Sequence, residues 1–148
     1  MVAIDVGARR IGLAISDRTR TLARPLETIA VARAADAVDL VARRIDELAA
    51  EEDGIATIVV GLPSRLDGTP SAAAEVIETF IGKLRARTRI PVVTEDERLS
   101  SREAESRLAV KERDWRKRKV KLDAAAAAVF LQDYLDRAKA RLKPDATE

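Results

Sequence analysis

"VAIDVGARRIGLAIS" occupies residues 2–16, and its reading decides the fold. Two short apolar runs, residues 2–6 and 11–16, are separated by little more than "GARR". Such runs, joined by a glycine-led turn, read as the two strands of an antiparallel hairpin. Gly7 suits the turn because glycine can take a positive φ. An aspartate, Asp5, stands inside the first strand, where a buried charge is costly unless something pairs with it. "RPLETIAVA", with Pro25 near its start, extends the hairpin to a three-stranded meander.

Beyond the meander the period changes. In "DAVDLVARRIDELAAEE", Val38, Val41, Ile45 and Leu48 recur at helical spacing with charges between them. Gly54 closes that helix. "IATIVVGL" is a continuous apolar run of the kind buried on both faces of a parallel sheet. After the loop "PSRLDGTPS", Thr69 and Pro70 suit the start of a second helix, whose buried stripe is Ile77, Phe80, Ile81 and Leu84. "IPVVTED" is a fifth strand. Ser100 and Glu103 form a capping box for another helix.

Residues 109–121, which take in "KERDWRKRKVK", hold few apolar side chains and read as an exposed, mobile basic loop. "LDAAAAAVFLQDYLDRAKARL" then forms a final helix, with Asp123 in its first turn and Phe130, Leu131, Tyr134 and Leu135 for packing. The order β-β-β-α-β-α-β-α-α predicts a single α/β domain over residues 1–148. Its five-stranded mixed sheet combines an antiparallel meander with parallel strands and is flanked by helices.

Composition excludes whole classes of chemistry. The 148 residues contain no cysteine and no histidine, so there is no disulfide, no thiolate or imidazole metal site and no Ser-His-Asp triad. No apolar run approaches the roughly 20 residues of a spanning helix, and no leader is evident. The chain therefore reads as cytoplasmic, with no membrane partner. Net charge is only +2, but it is unevenly spread. Residues 98–121 hold ten basic against four acidic side chains, and residues 1–24 hold five against two. Two such zones on a near-neutral protein attract phosphates.

Asp5 in the first strand, Asp96 and Glu97 at the end of the last one, and Asp123 on the final helix could converge across the sheet. Convergent carboxylates repel unless a divalent cation neutralises them. Hard oxygen donors suit Mg²⁺ or Mn²⁺, and a pair of such ions can hydrolyse a phosphodiester. Each acid also has a plainer reading. Asp5 could be a turn or edge residue, Asp96 and Glu97 surface ion-pair partners, and Asp123 a helix-start residue favoured by the macrodipole. The basic stretch could be a solvated face, and Trp115 could stack on a base or pack locally.

The blocks "IDVGARRIGLAISD", "IVVGLPSRLDGTPS", "EDERLSSREAE" and "KLDAAAAAVFLQDYLD" together resemble the YqgF/RuvX family of Holliday-junction-resolvase-like proteins assigned to pre-16S rRNA cleavage. The resemblance covers essentially the whole chain. It implies a ribonuclease H-like fold and a cytoplasmic, metal-dependent nuclease maturing the 5′ end of 16S rRNA. Asp5, Glu97 and Asp123 would be its catalytic and metal-holding carboxylates, with Asp96 a further ligand candidate. The nucleic-acid contacts would be Arg9, Arg10, Arg98, Lys111, Arg113, Arg116, Lys117, Arg118 and Lys119. The implied partners are an rRNA precursor, branched DNA and the ribosome, met by a monomer or a homodimer.

Two features depart from the related pattern. Positions 126 and 127 are alanines, so the four-acid site of RuvC resolvases is absent, which weakens a junction-resolving role. Met1 already stands in the first strand, which is then short and frayed unless the natural chain starts earlier. Three alternatives remain beside the RNase: a junction-cutting DNA nuclease, a non-catalytic RNA- or ribosome-binding factor, and an actin-like phosphate-binding domain.

Overall fold

The computed structural model describes residues 1–51, 54–63, 72–96 and 115–142, with side chains along the last helix described from 123 to 141. The strands are β1 (Val2–Val6), β2 (Arg10–Ser16), β3 (Ala23–Ala30), β4 (Ile58–Leu62) and β5 (Val92–Asp96). The helices are α1 (Ala37–Glu51), entered through a short 3₁₀ turn at Ala34–Asp36, α2 (Ala72–Arg87) and α3 (Trp115–Leu142). The sheet runs β3-β2-β1-β4-β5. β2 is antiparallel to both β1 and β3, whereas β4 is parallel to both β1 and β5. This is the expected mixed α/β sheet, with β1 at its centre.

Strand alternation divides the core in two. Val2 and Ile4 of β1 join Ile11, Leu13 and Ile15 of β2 and Ile58 and Val60 of β4 in packing against α1 and α2. The predicted stripes supply the other half of that core: Val41, Ile45 and Leu48 from α1, and Ile77, Phe80, Ile81 and Leu84 from α2. The opposite face carries smaller residues. Ala3, Ala14 and Val59 meet Ala127, Phe130, Leu131 and Leu135 of α3. Small side chains on both sides let the long helix lie close to the sheet. β1 is not frayed: Val2, Ala3 and Ile4 are fully buried.

Three local devices shape these elements. Gly54, at φ +101°, donates its N–H to the Ala49 carbonyl at 2.8 Å and closes α1 as expected. Gly7 acts differently from the prediction, because Gly54 is the one positive-φ glycine among the described residues. At Gly7 the need is for space: a Cβ would lie 2.5 Å from the Arg10 carbonyl oxygen, to which the Gly7 N–H is bonded at 2.9 Å. Along β2–β3 the register steps from Leu13↔Glu27 to Ala14↔Pro25, leaving Leu26 as an extra residue. The bulge sits beside Pro25, which has no N–H to give and is tolerated because β3 is an edge strand.

The expected basic loop is corrected in part. From Trp115 onward it is helical, so residues 115–121 form the first two turns of α3, while 109–114 lie outside the described residues. No glycine or proline stands between Pro91 and Pro144. Lys and Arg are good helix formers, and extending an existing helix carries no nucleation cost. Asp123 therefore lies in the third turn of α3, beyond the first-turn reach of the macrodipole. The Thr69–Pro70 start and the Ser100–Glu103 capping box lie outside the described residues. Among the described residues, no helix is long and apolar enough to cross a membrane.

Phe130 is fully buried between α3 and the sheet. Phe130→Ala should cost about 3–5 kcal/mol, read as a lower urea midpoint at unchanged m-value. A loss below ~1 kcal/mol would mean that α3 is not the lid of this core.

Candidate active site

Asp5 is the one charged residue on β1, and it is buried, 9% exposed. Alternation places it on the face of Ala3, towards α3. Its partner across the β1–β2 ladder is Gly12, with Cα atoms about 5 Å apart for such pairs. A Cβ on Gly12 would meet the backbone of α3 at 2.1 Å from the carbonyl carbon of Asp123, 2.2 Å from its oxygen and 2.4 Å from the Ala124 nitrogen. The helix thus rests on the one place in β2 that has no side chain. A glycine inside a strand pattern marks such a close approach, and here it sets Asp123 beside Asp5.

The Asp123 carboxylate is partly exposed and accepts from Arg10 Nε at 3.3 Å. Arg10 shares Gly12's face two residues earlier on β2, at the hairpin end of the sheet. Burial pushes the Asp123 carboxyl above its ordinary pKa, against the opposing charge and hydrogen bond of Arg10. One guanidinium does not fully compensate for the water this carboxylate has lost. Arg9 lies exposed in the adjoining turn. Its carbonyl accepts from Val31 N–H at 2.8 Å, which ties the hairpin turn to the end of β3.

On β5 the structure separates two neighbouring acids. Val92 packs with the α1–α2 core and Val93 with α3, so Glu95 faces α3 and Asp96 faces the other way. Asp96, exposed at the end of β5, also lines with Glu95 a cavity against Tyr134, Arg137 and Arg141 of α3. Glu95, which the sequence reading passed over, is buried at 7% exposure. It stands opposite Gly61 of β4, one step beyond the Ile4↔Val60 pair. Asp5, Gly61 and Glu95 thus follow one row, which puts Glu95 two strands, or about 10 Å, from Asp5. Arg137 of α3 forms an ion pair with Glu95 Oε1, although that oxygen has no partner of hydrogen-bonding geometry. Parity along "VVTED" separates Glu95 from Asp96, but only the packing of Val92 and Val93 says which of them faces α3.

Glu97, Arg98, Lys111 and Arg113 lie outside the described residues. Arg116, Lys117, Arg118 and Lys119 lie on the first turns of α3, about 6–10 Å along its axis from Asp123 at 1.5 Å per residue. The structure thus gathers Asp5, Asp123 and Arg10 at one end of the sheet and puts a basic helix start on the same helix as Asp123. Among the described residues no three acids converge tightly enough to hold a metal unaided. The donor set is carboxylate oxygen, with no histidine or cysteine in the chain, which fits a hard divalent cation.

This arrangement matches a family. The model described as "RuvX: Holliday junction resolvase" covers residues 1–137. The chain belongs to the RuvX family. A protein named "Putative pre-16S rRNA nuclease" from Anaeromyxobacter dehalogenans is 43% identical over 136 residues, covering 92% of this chain and 96% of that one. One of the same name from Geobacillus kaustophilus is 40% identical over 135 residues, with 91% and 96% covered. The solved structure of T. thermophilus RuvC with a Holliday junction substrate superposes at a TM-score of 0.54 and 18% identity, covering 98% of this chain and 99% of that one. Fowlpox virus resolvase with its junction DNA gives 0.54 and 15%, with 97% and 100% covered. At these identities the two structures establish the shared ribonuclease H-like fold.

Gly12→Ala must push α3 off the sheet. It should destabilise the domain by about 1–3 kcal/mol, the usual cost of overpacking, and separate Asp123 from Asp5. Urea unfolding checks the first effect. Wild-type stability in the variant would show that the helix does not rest on Gly12.

Proposed function

We propose that this chain is a divalent-metal-dependent nuclease that matures the 5′ end of 16S rRNA precursors in the cytoplasm. The observation that carries the reading is the contact of α3 with Gly12, which sets a buried strand aspartate beside a helix aspartate. Asp5, fixed by the central strand, and Asp123, fixed by the helix, hold Mg²⁺ or Mn²⁺, with Glu97 as the third carboxylate. Such a cation supplies Lewis-acid stabilisation of the charge that builds on a phosphodiester and makes water a better nucleophile. Arg10 holds the Asp123 carboxylate in place and balances its charge while no substrate is bound. Arg9 and the basic residues Arg116, Lys117, Arg118 and Lys119 hold the strand by its phosphates. The names of the relatives at 40–43% identity support the rRNA substrate.

The description of the matching family favours a second reading, cleavage of four-way DNA junctions. Against it, Ala126 and Ala127 are buried small residues in the stretch of α3 just past Asp123, where RuvC resolvases carry a fourth acid. A panel of precursor rRNA, duplex and four-way junction separates the two readings. Preference for the junction would sink the rRNA assignment.

Asp5→Asn keeps the shape of the side chain and removes its charge. Cleavage in Mn²⁺ should fall by more than the roughly 10–100-fold that outer-sphere changes cost at metal sites, with RNA binding retained. Cleavage at the wild-type rate would remove Asp5 from the site. Wild-type protein that binds RNA but never cleaves it would make the chain a binding factor.

A further inference from the structure

The meander sorts the arginines of the first 24 residues to opposite ends of the sheet. Arg9 and Arg10 stand at the β1–β2 turn, beside Asp5 and Asp123. Arg18 and Arg20 belong to the β2–β3 turn and Arg24 to the start of β3, which β2 carries about 20 Å away at 3.4 Å per residue. There a cavity of about 650 Å³ opens, lined by these three arginines together with Ser16 and the Gly54–Ala56 connection into β4. Ile15, which also lines it, packs with the α1–α2 core. Met1, a further lining residue, packs with the α3-side cluster, so the cavity caps the end of the sheet opposite Asp5 and is lined from both faces.

The turn that presents the arginines is held from within. Asp17 Oδ1 accepts from the backbone N–H groups of Thr21 at 2.8 Å and Leu22 at 3.3 Å, and its Oδ2 accepts from Thr19 Oγ1 at 3.0 Å. These hydrogen bonds hold the Asp17 carboxyl below its ordinary pKa. Among the described residues Asp17 is the one acid lining the cavity, and its oxygens serve the turn. From α3, Gln132 accepts from Ala23 N–H at 2.9 Å and donates to the Thr21 carbonyl at 2.8 Å, and Lys139 reaches Thr21 Oγ1 at 2.8 Å. Arg20 sits at φ +55°, where a glycine or asparagine would be less strained. A pinned turn, a left-handed arginine and a roomy basic cavity are the parts of a phosphate-binding site, since guanidinium forks match phosphate oxygens.

We propose that this cavity docks a backbone phosphate on a second segment of a folded nucleic-acid substrate, so that the chain favours folded over short single-stranded targets. Its distance from Asp5, with α3 lying across the face between them, is the reason for the second segment. A short strand lying across the Asp5 end does not span that distance, but another arm of a folded RNA does. The substrate class rests on the nuclease reading above, whereas the site itself rests on the arginines and the cavity.

The test is equilibrium binding without metal, by fluorescence anisotropy, to a branched RNA and to a short single strand. Wild type is compared with the triple variant R18A/R20A/R24A and with R18K/R20K/R24K. The alanine variant should lose affinity for the branched RNA, and its log K against log salt slope should shrink by about 1. Its affinity for the short strand should stay at the wild-type level. The lysine variant should keep most of the slope. Unchanged binding of the branched RNA, or equal losses on both RNAs, would overturn the proposal. So would stabilisation of wild type by millimolar inorganic phosphate that the alanine variant lacks, with RNA binding the same in both, since that assigns the site to a small anion. Cleavage of the short strand by wild type in Mn²⁺ is scored separately. Absence of cleavage there and on the branched RNA alike would sink the nuclease reading and leave the arginine-dependent docking intact.

Discussion

The structure depends on one missing side chain. At Gly12 the sheet has no Cβ, and the backbone of α3 occupies that space at Asp123 and Ala124. Everything along the helix follows from this point of rest. Further along, Ala127 and Phe130 fit over Ala3, Ala14 and Val59, and Gln132 clamps the β2–β3 turn. A larger residue at position 12 would lift the helix at its closest contact. It would also move the carboxylate that the helix contributes away from the one that β1 contributes.

The two faces of the sheet divide the work. The face towards α1 and α2 is packed with Val, Ile and Leu and supplies most of the apolar burial. The face towards α3 gives up some of that burial, with alanine and glycine where larger residues would otherwise stand. It thereby gains a helix close enough for polar groups to meet across the contact. Two buried acids, Asp5 and Glu95, both lie on this second face. Each would be costly there without compensation. Glu95 has Arg137 opposite it. In our account Asp5 also meets a cation that it shares with Asp123.

Much of this was legible in the chain. The apolar runs and the change of period gave the strand and helix order, because core burial forces those patterns. Asp5 stood out because a charge broke an apolar strand. Asp123 could be named as a candidate, but not placed, because nothing local says which strand a distant helix will touch. Gly12 carried that information and was read merely as part of an apolar run. The basic stretch misled for a physical reason: a helix can extend into polar sequence once its apolar half is anchored, so lack of packing residues did not mean lack of helix. Asp96 and Glu95 differ by one residue and face opposite sides, a distinction visible only once the strand register is fixed.

The central claim is that Asp5 and Asp123 hold one divalent cation between them across Gly12. Calorimetric titration of Mn²⁺ into the wild-type chain, and into Asp5→Asn and Asp123→Asn separately, tests it most directly. The account predicts saturable binding to the wild type that either substitution alone abolishes, with both variants still folded. Mn²⁺ binding that survives both substitutions unchanged would contradict it.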